Sequence, residues 1–390
     1  MNQGKYVFAQ LNDFLNPHDF IRCVATYKGN YKVKTFTCWH QFLYMMFGQL
    51  SNRDSLSDLI TCLQSQQNKS YHLGMGKGTS KANLAKANEK RDYRIYEDFA
   101  MTLVTQAQKL AIPFESFDLS IKEPVYAIDA TVIDLCLNIF WWGKFRKHKA
   151  AVKLHTMLDV KTNIPTFIYV TSGAVHDIHG LDVFPIESGS YYIMDKGYID
   201  FGRLHRIHKS GAFYVTRAKD NFKFVRLSSK QANKSSGVKC DQIIRLKNKK
   251  VSLAYPDKIR RIKFYDSEIK MEFVFITNNF EIDAEEVAGL YKYRWNIELF
   301  FKWIKQHLKV KTFWGYSLNA VRTQVYIAMS TYLLVAIVKH QLKLKQTQYE
   351  ILQILSISLL CKIPLLELFS NAYPQYVKEQ DTNQLNLFSL

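Results

Sequence analysis

Apolar residues along this chain change their spacing as one reads from the amino end. From residue 1 to about 112 they recur at helical intervals. Phe8, Leu11 and Leu15 come first, then Phe42, Tyr44, Met45, Leu50 and Leu59 in a looser pattern. A polar break falls near 64–70, followed by the turn HLGMGKGTS. Its three glycines, Gly74, Gly76 and Gly78, lack the order of a phosphate loop, which needs Gly-Lys-Ser or Gly-Lys-Thr after four spacers. Residues 79–94 then predict a polar, basic helix. Its Lys81, Lys86, Lys90, Arg91 and Arg94 suit phosphates, or simply a solvated face.

After Pro124 the pattern becomes that of strands. VYAIDATVIDLCL, AAVKLHTMLDV, IPTFIYVTSG, YYIMDKG and AFYVTRA are β-branched and aromatic runs bounded by turns. LDVFPI before the fourth run and FGRLHRIHKSG before the fifth read as helices. Three consecutive strands followed by strand, helix, strand is an α/β order. It is similar to the RNase H-like arrangement, a mixed sheet with acidic residues at strand ends.

Residues 219–270 are basic and polar, with short strand-like pieces FKFVRL, QIIRLK, VSLAY and IRRIKFY; MEFVFITNN then restores a core strand. One long helix is expected over about 284–308, another over 319–341, and helical spacing over 346–370 before a polar terminus, 371–390. The division this predicts is a helical N-terminal DNA-binding region at 1–112 and an RNase H-like core at 113–218 and 271–318. A β-rich insertion lies at 219–270 and a helical region at 319–390.

Composition narrows the function. Lys and Arg number 53 against 34 Asp and Glu, a net +19, which favours a polyanion, nucleic acid before membrane. The longest apolar stretch, 325–338, is interrupted by Ser330 and Thr331 and is too short to span a bilayer, so it reads as a buried helix. Six scattered cysteines have no CxxC spacing, which argues against zinc, and the start MNQGKYVFAQLND lacks the pattern of a signal peptide. A cytoplasmic protein without a membrane partner is expected.

Candidate chemistry begins in YKYRWNIELFFKWIK. Tyr291, Arg294, Glu298 and Lys305 fall on one helical stripe, presenting a phenol, a guanidinium, a carboxylate and an ammonium together. Alone, this is an ion-paired surface. Asp129, however, sits within the apolar strand VYAID, and Asp195 ends the apolar strand YYIMD. Either acid alone reads as a strand-end cap. With Glu298 they form a set of three carboxylates able to hold two Mg²⁺ ions about 4 Å apart. His155 reads as a core histidine beside Lys153, and His176 and Asp177 in AVHDIHG as a polar turn.

Tyr-x2-Arg-x3-Glu-x6-Lys, as Tyr291, Arg294, Glu298 and Lys305, resembles the signature of bacterial cut-and-paste DDE transposases of the insertion-sequence 4 family. IDAT around Asp129, DKGY at Asp195, KFRKHKAAVKLH, VTRAK and FWGYSLNAVRTQ are also similar to these proteins. The resemblance implies a catalytic and metal-binding triad of Asp129, Asp195 and Glu298 using two Mg²⁺, with Mn²⁺ as a substitute. Tyr291, Arg294 and Lys305 are implied to hold DNA phosphates. It also implies binding of terminal inverted repeats, nicking, hairpin formation, and joining of 3′ ends to target DNA. The DNA complex would be a homodimer, and DNA binding would associate the protein with the nucleoid. In relatives an insertion-domain tryptophan stacks on a flipped base. Here no Trp lies between Asp195 and Tyr293, leaving Tyr255, Phe264 or Tyr265 as substitutes. Two other classes fit the same residues: an RNase H-like nuclease that only hydrolyses, and a catalytically silent DNA-binding protein derived from a transposase.

Overall fold

The computed structural model describes residues 4–111, 117–135, 140–146, 149–232, 234–310 and 312–370. The expected polar terminus and Cys136 lie outside them. Six helices come first: α1 (Val7–Asn12), α2 (Pro17–Thr26), α3 (Cys38–Leu50), α4 (Leu56–Gln64), α5 (Lys81–Lys90) and α6 (Arg94–Leu110). Their starts follow capping chemistry. Thr37 and His40 form a reciprocal capping box at α3, and the Ser55 and Ser80 side chains accept backbone N–H groups at α4 and α5. The basic stretch 79–94 is thus a shorter helix, α5, with Arg94 opening the next one.

The described residues contain ten strands in one sheet: β1 (Val125–Leu135), β2 (Lys144–Arg146), β3 (Lys149–Asp159), β4 (Ile164–Ser172), β5 (Tyr191–Met194), β6 (Phe213–Arg217), β7 (Phe224–Lys230), β8 (Val238–Leu246), β9 (Ile259–Asp266) and β10 (Met271–Thr277). Strand β3 pairs antiparallel with β1 and β4, while β1, β5 and β6 run parallel. The order β4-β3-β1-β5-β6 is the RNase H-like core. Beyond it β10 pairs antiparallel with β6, and β9, β8 and β7 continue the same sheet.

Alternation along β1 separates two apolar faces. Val125 and Ala127 join the larger cluster, Tyr126 and Ile128 the smaller. Helices α7 (Gly180–Val183), α8 (Phe201–Lys209) and α9 (Lys249–Ala254) cover the smaller face with Leu181, Leu204, Ile207 and Val251. On the larger face lie α10 (Ala284–Lys292), α11 (Trp295–His307), α12 (Leu318–Gln341), α13 (Gln348–Ser358) and α14 (Leu365–Ser370), together with the N-terminal helices. Apolar almost all round, α12 is buried from Val325 through Val338. A Cβ on Gly48 of α3 would come within 2.5 Å of Trp314, so glycine lets α3 approach the segment between α11 and α12.

Two expectations need correcting. VSLAY is the helix α9 and its end, not a strand. Val251 and Tyr255, four apart, face the core, while Leu253 between them is 75% exposed; five residues did not separate a period of 2 from 3.6. The single helix expected over 284–308 is interrupted. The amides of Tyr293 and Arg294 donate to Leu290 and Tyr291, three residues back, which tightens the turn between α10 and α11. There the Tyr293 hydroxyl donates to Asp118 at 2.6 Å.

Candidate active site

Parallel register assembles the site. Ile128 is level with Met194, and Met194 with Thr216, so the following residues, Asp129, Asp195 and Arg217, form a row across β1, β5 and β6. Alternation puts these three on the face of the larger cluster, where α10 and α11 pack. Carboxyl ends of parallel strands are where open α/β sheets bind ligands.

Each acid already has a cation. The Arg294 guanidinium lies 2.6 Å from Glu298 and 3.9 Å from Asp129. Arg217 donates to Asp195 Oδ1 at 3.0 Å, and the Tyr291 hydroxyl donates to the same oxygen at 3.3 Å. The Tyr291 ring sits 5.7 Å from each guanidinium and so links the two halves. Lys305 donates to Thr131 Oγ1 at 2.5 Å, one strand period beyond Asp129. The six residues singled out in the sequence therefore lie along one stretch of sheet and helix.

Burial pushes the Asp129 carboxyl up to about 6; the Ala130 amide and Arg294 oppose this, and the charges of Glu298 and Asp177 add to it. Burial would raise Asp195 too, but the Arg217 hydrogen bond and the amides of Lys196 and Gly197 bring it below the usual carboxylate range. Among the described residues no three His, Cys, Asp or Glu side chains stand close enough to grip a metal ion. The donor set nonetheless suits a hard divalent cation: it is all carboxylate oxygen, and burial, with the charges of Glu298 and Asp177 adding to it, keeps Asp129 reluctant to ionise.

Sequence reasoning quoted Arg217 only within VTRAK and left Asp177 as turn polarity. Asp177 pairs with the buried Lys153 at 2.7 Å and contributes to the field at Asp129. Register is the signal for Arg217: it ends β6 as Asp195 follows β5. His155 is a core residue, 1% exposed, with its Nε2 2.9 Å from Thr171 Oγ1. Burial, then the Lys153 charge, push it down to about 4. Tyr255 is fully buried beside Tyr214 and His208, so it cannot stack on a base.

Residues 120–334, which hold every member of this site, match the model of the transposase DDE domain. The chain belongs to that family. Outside the DDE domain, residues 3–76 match a domain of unknown function that takes in α1 to α4. A protein named as transposase y4zB in Sinorhizobium fredii is 37% identical over 215 residues, 54% of this chain and 59% of the relative. One from Geobacillus stearothermophilus, named as a transposase for insertion sequence element IS5377, is 29% identical over 59% of this chain and 60% of the relative. One from Synechocystis, named for insertion sequence element IS4SA, is 26% identical over 65% of this chain and 70% of the relative. The DDE chain thus spans less than two thirds of the first two relatives.

Proposed function

We propose that this chain is a cut-and-paste transposase of the insertion-sequence 4 type, with Tyr291, Arg294, Glu298 and Lys305 as its signature. It binds terminal inverted repeats, cleaves the DNA and joins the 3′ ends to target DNA. The observation that carries this reading is the row Asp129, Asp195 and Arg217 facing the Arg294–Glu298 pair at the start of α11. Asp129, Asp195 and Glu298 would hold divalent cations, Mg²⁺ or Mn²⁺. Bound there, such ions make a nucleophile of water or a 3′-hydroxyl and offset charge at phosphorus.

The chain's own cations do the positioning. In the DNA-free protein Arg294 and Arg217 neutralise the acids. A DNA phosphate competes for the same guanidinium forks, which frees carboxylate oxygens as the substrate is seated. Tyr291 and Lys305 hold neighbouring phosphates. Two copies working on paired ends would place both cuts, and the enzyme would act on the nucleoid in the cytoplasm. The functional divisions are those read from sequence, with residues 1–112 binding DNA and 219–270 the insertion.

Glu298→Ala tests the assignment. Gel shift with terminal-repeat DNA should be unchanged within a few fold, and cleavage with Mg²⁺ should be lost, because the acid serves the transition state rather than affinity. Near wild-type cutting by a normally folded Glu298→Ala protein would return the helix stripe to a surface ion pair. Cutting without joined products in a target-plasmid assay would favour the nuclease reading.

A further inference from the structure

Helix α2 ends at Thr26, and a loop leads from Tyr27 to Thr37, the cap of α3. The Lys28 amide donates to the Ala25 carbonyl at 3.2 Å, and the Gly29 amide to Val24 at 3.0 Å. That pair of bonds is a Schellman stop, whose left-handed position glycine normally fills. Here Lys28 fills it, at φ 51°. Four residues on, Lys32 is left-handed again, at φ 56°. A Cβ crowds the backbone in this conformation, so lysine is less stable there than glycine. The loop's own glycine is spent one place later, on packing. A Cβ on Gly29 would collide with Ile95 of α6 and Cys38 of α3.

The base of the loop is thus fixed, and the Asn30 side chain adds to this by accepting from the Cys38 amide at 2.8 Å. What the loop presents outward is cationic and aromatic. Lys28, Lys32 and Lys34 are exposed, and Tyr31 is 72% exposed. Lys32 Nζ lies 5.3 Å from the centre of the Tyr31 ring. No Asp or Glu occurs between Asp19 and Asp54. Asp19 pairs with Arg22 at 3.0 Å, and Asp98 at the base of the loop accepts from the Tyr27 hydroxyl at 2.8 Å. Among the described residues the three lysines form no ion pair. Uncompensated charge beside a rigidly mounted aromatic, with two lysines held where glycine fits better, suits a polyanion that also offers flat apolar surface. Duplex DNA has both.

We propose that loop 28–34 is a DNA-docking element, with Lys28, Lys32 and Lys34 on backbone phosphates and Tyr31 against the sugars and bases of the groove between them. The inference rests on residues 1–112 binding DNA and names the part that does so.

The experiment is fluorescence anisotropy of a labelled terminal-repeat duplex with the full chain, between 50 and 200 mM salt, with thermal melting of each variant. The double variant Lys28→Gly, Lys32→Gly removes two cations and the crowded Cβ atoms together. It should bind about tenfold or more weakly, with the salt slope flatter by about 2, while its melting temperature is unchanged or higher. Tyr31→Ala should weaken binding about tenfold, and Tyr31→Phe should bind as wild type. Tyr71→Ala removes another tyrosine of the N-terminal region, 81% exposed, and should change nothing. Equal losses in Tyr31→Ala and Tyr71→Ala overturn the role of Tyr31. A double variant that melts lower in step with its lost affinity overturns the docking role, as a folding effect. Wild-type affinity and slope in the double variant, with the Lys81, Lys86 and Lys90 to Gln variant impaired, overturn the loop alone. Wild-type binding by both overturns the reading of residues 1–112 beneath it.

Discussion

Asp129 is destabilising where it stands. In the unfolded chain it ionises near its ordinary value of 3.8; folded, burial moves that to about 6. Between these values the unfolded state sheds its proton first, so the contribution to stability falls as pH rises from about 4 to 6 and stays low above. The difference amounts to about 3 kcal/mol. Asp129→Asn carries no charge at any pH. Urea unfolding in EDTA should find it more stable than wild type by up to about that amount at pH 8, with the advantage gone near pH 4. An advantage independent of pH would mean the carboxylate is not strained by burial. At Arg217 the geometry of the fork matters as well as its charge. Arg217→Lys keeps the cation but not the fixed contact to Asp195, and cleavage should slow on the order of 10²-fold with DNA affinity nearly unchanged. Wild-type cleavage by this variant would make Arg217 a bystander.

The insertion strands have their own internal lock. Arg260 on β9 and Asp241 on β8 form a two-pronged pair, with Nε and Nη2 2.9 and 2.8 Å from the two carboxylate oxygens. The side chains are only 3% and 6% exposed. Asp241→Ala would strand a buried guanidinium, and chemical denaturation should register a loss of about 3–5 kcal/mol. A loss under 1 kcal/mol would show that the pair is solvated. Neither residue stood out in the sequence, because such a pair depends on cross-strand register. That limit recurs. Strands β1, β3, β4, β5 and β6 were legible because their apolar runs are long and end at turns. The three-residue β2 was not, being too short to carry a period. Asp129, Asp195 and Glu298 could be picked out as acids against apolar surroundings. Arg217 could not, since an arginine ending a strand is ordinary until the register of β1, β5 and β6 sets it beside the acids.

For the whole molecule the governing quantity is the net charge of +19. If phosphate contacts dominate DNA affinity, log K should fall linearly with log salt at about −0.9 per phosphate neutralised. Replacing Lys81, Lys86 and Lys90 of α5 together by Gln should flatten that slope by about 2 to 3, measured by fluorescence anisotropy between 50 and 200 mM salt. An unchanged slope would place α5 away from DNA. The buried α12 has a different consequence, one that concerns synthesis on the ribosome. N-terminal helices α3, α5 and α6 pack on it, yet it emerges long after them. At about 5–20 residues per second, residue 341 follows residue 110 by on the order of ten to fifty seconds. Throughout that interval α3, α5 and α6 lack the buried helix they pack on. Nascent chains of this protein should therefore be held by chaperones until translation has passed α12, and chains halted before it should be the ones that aggregate.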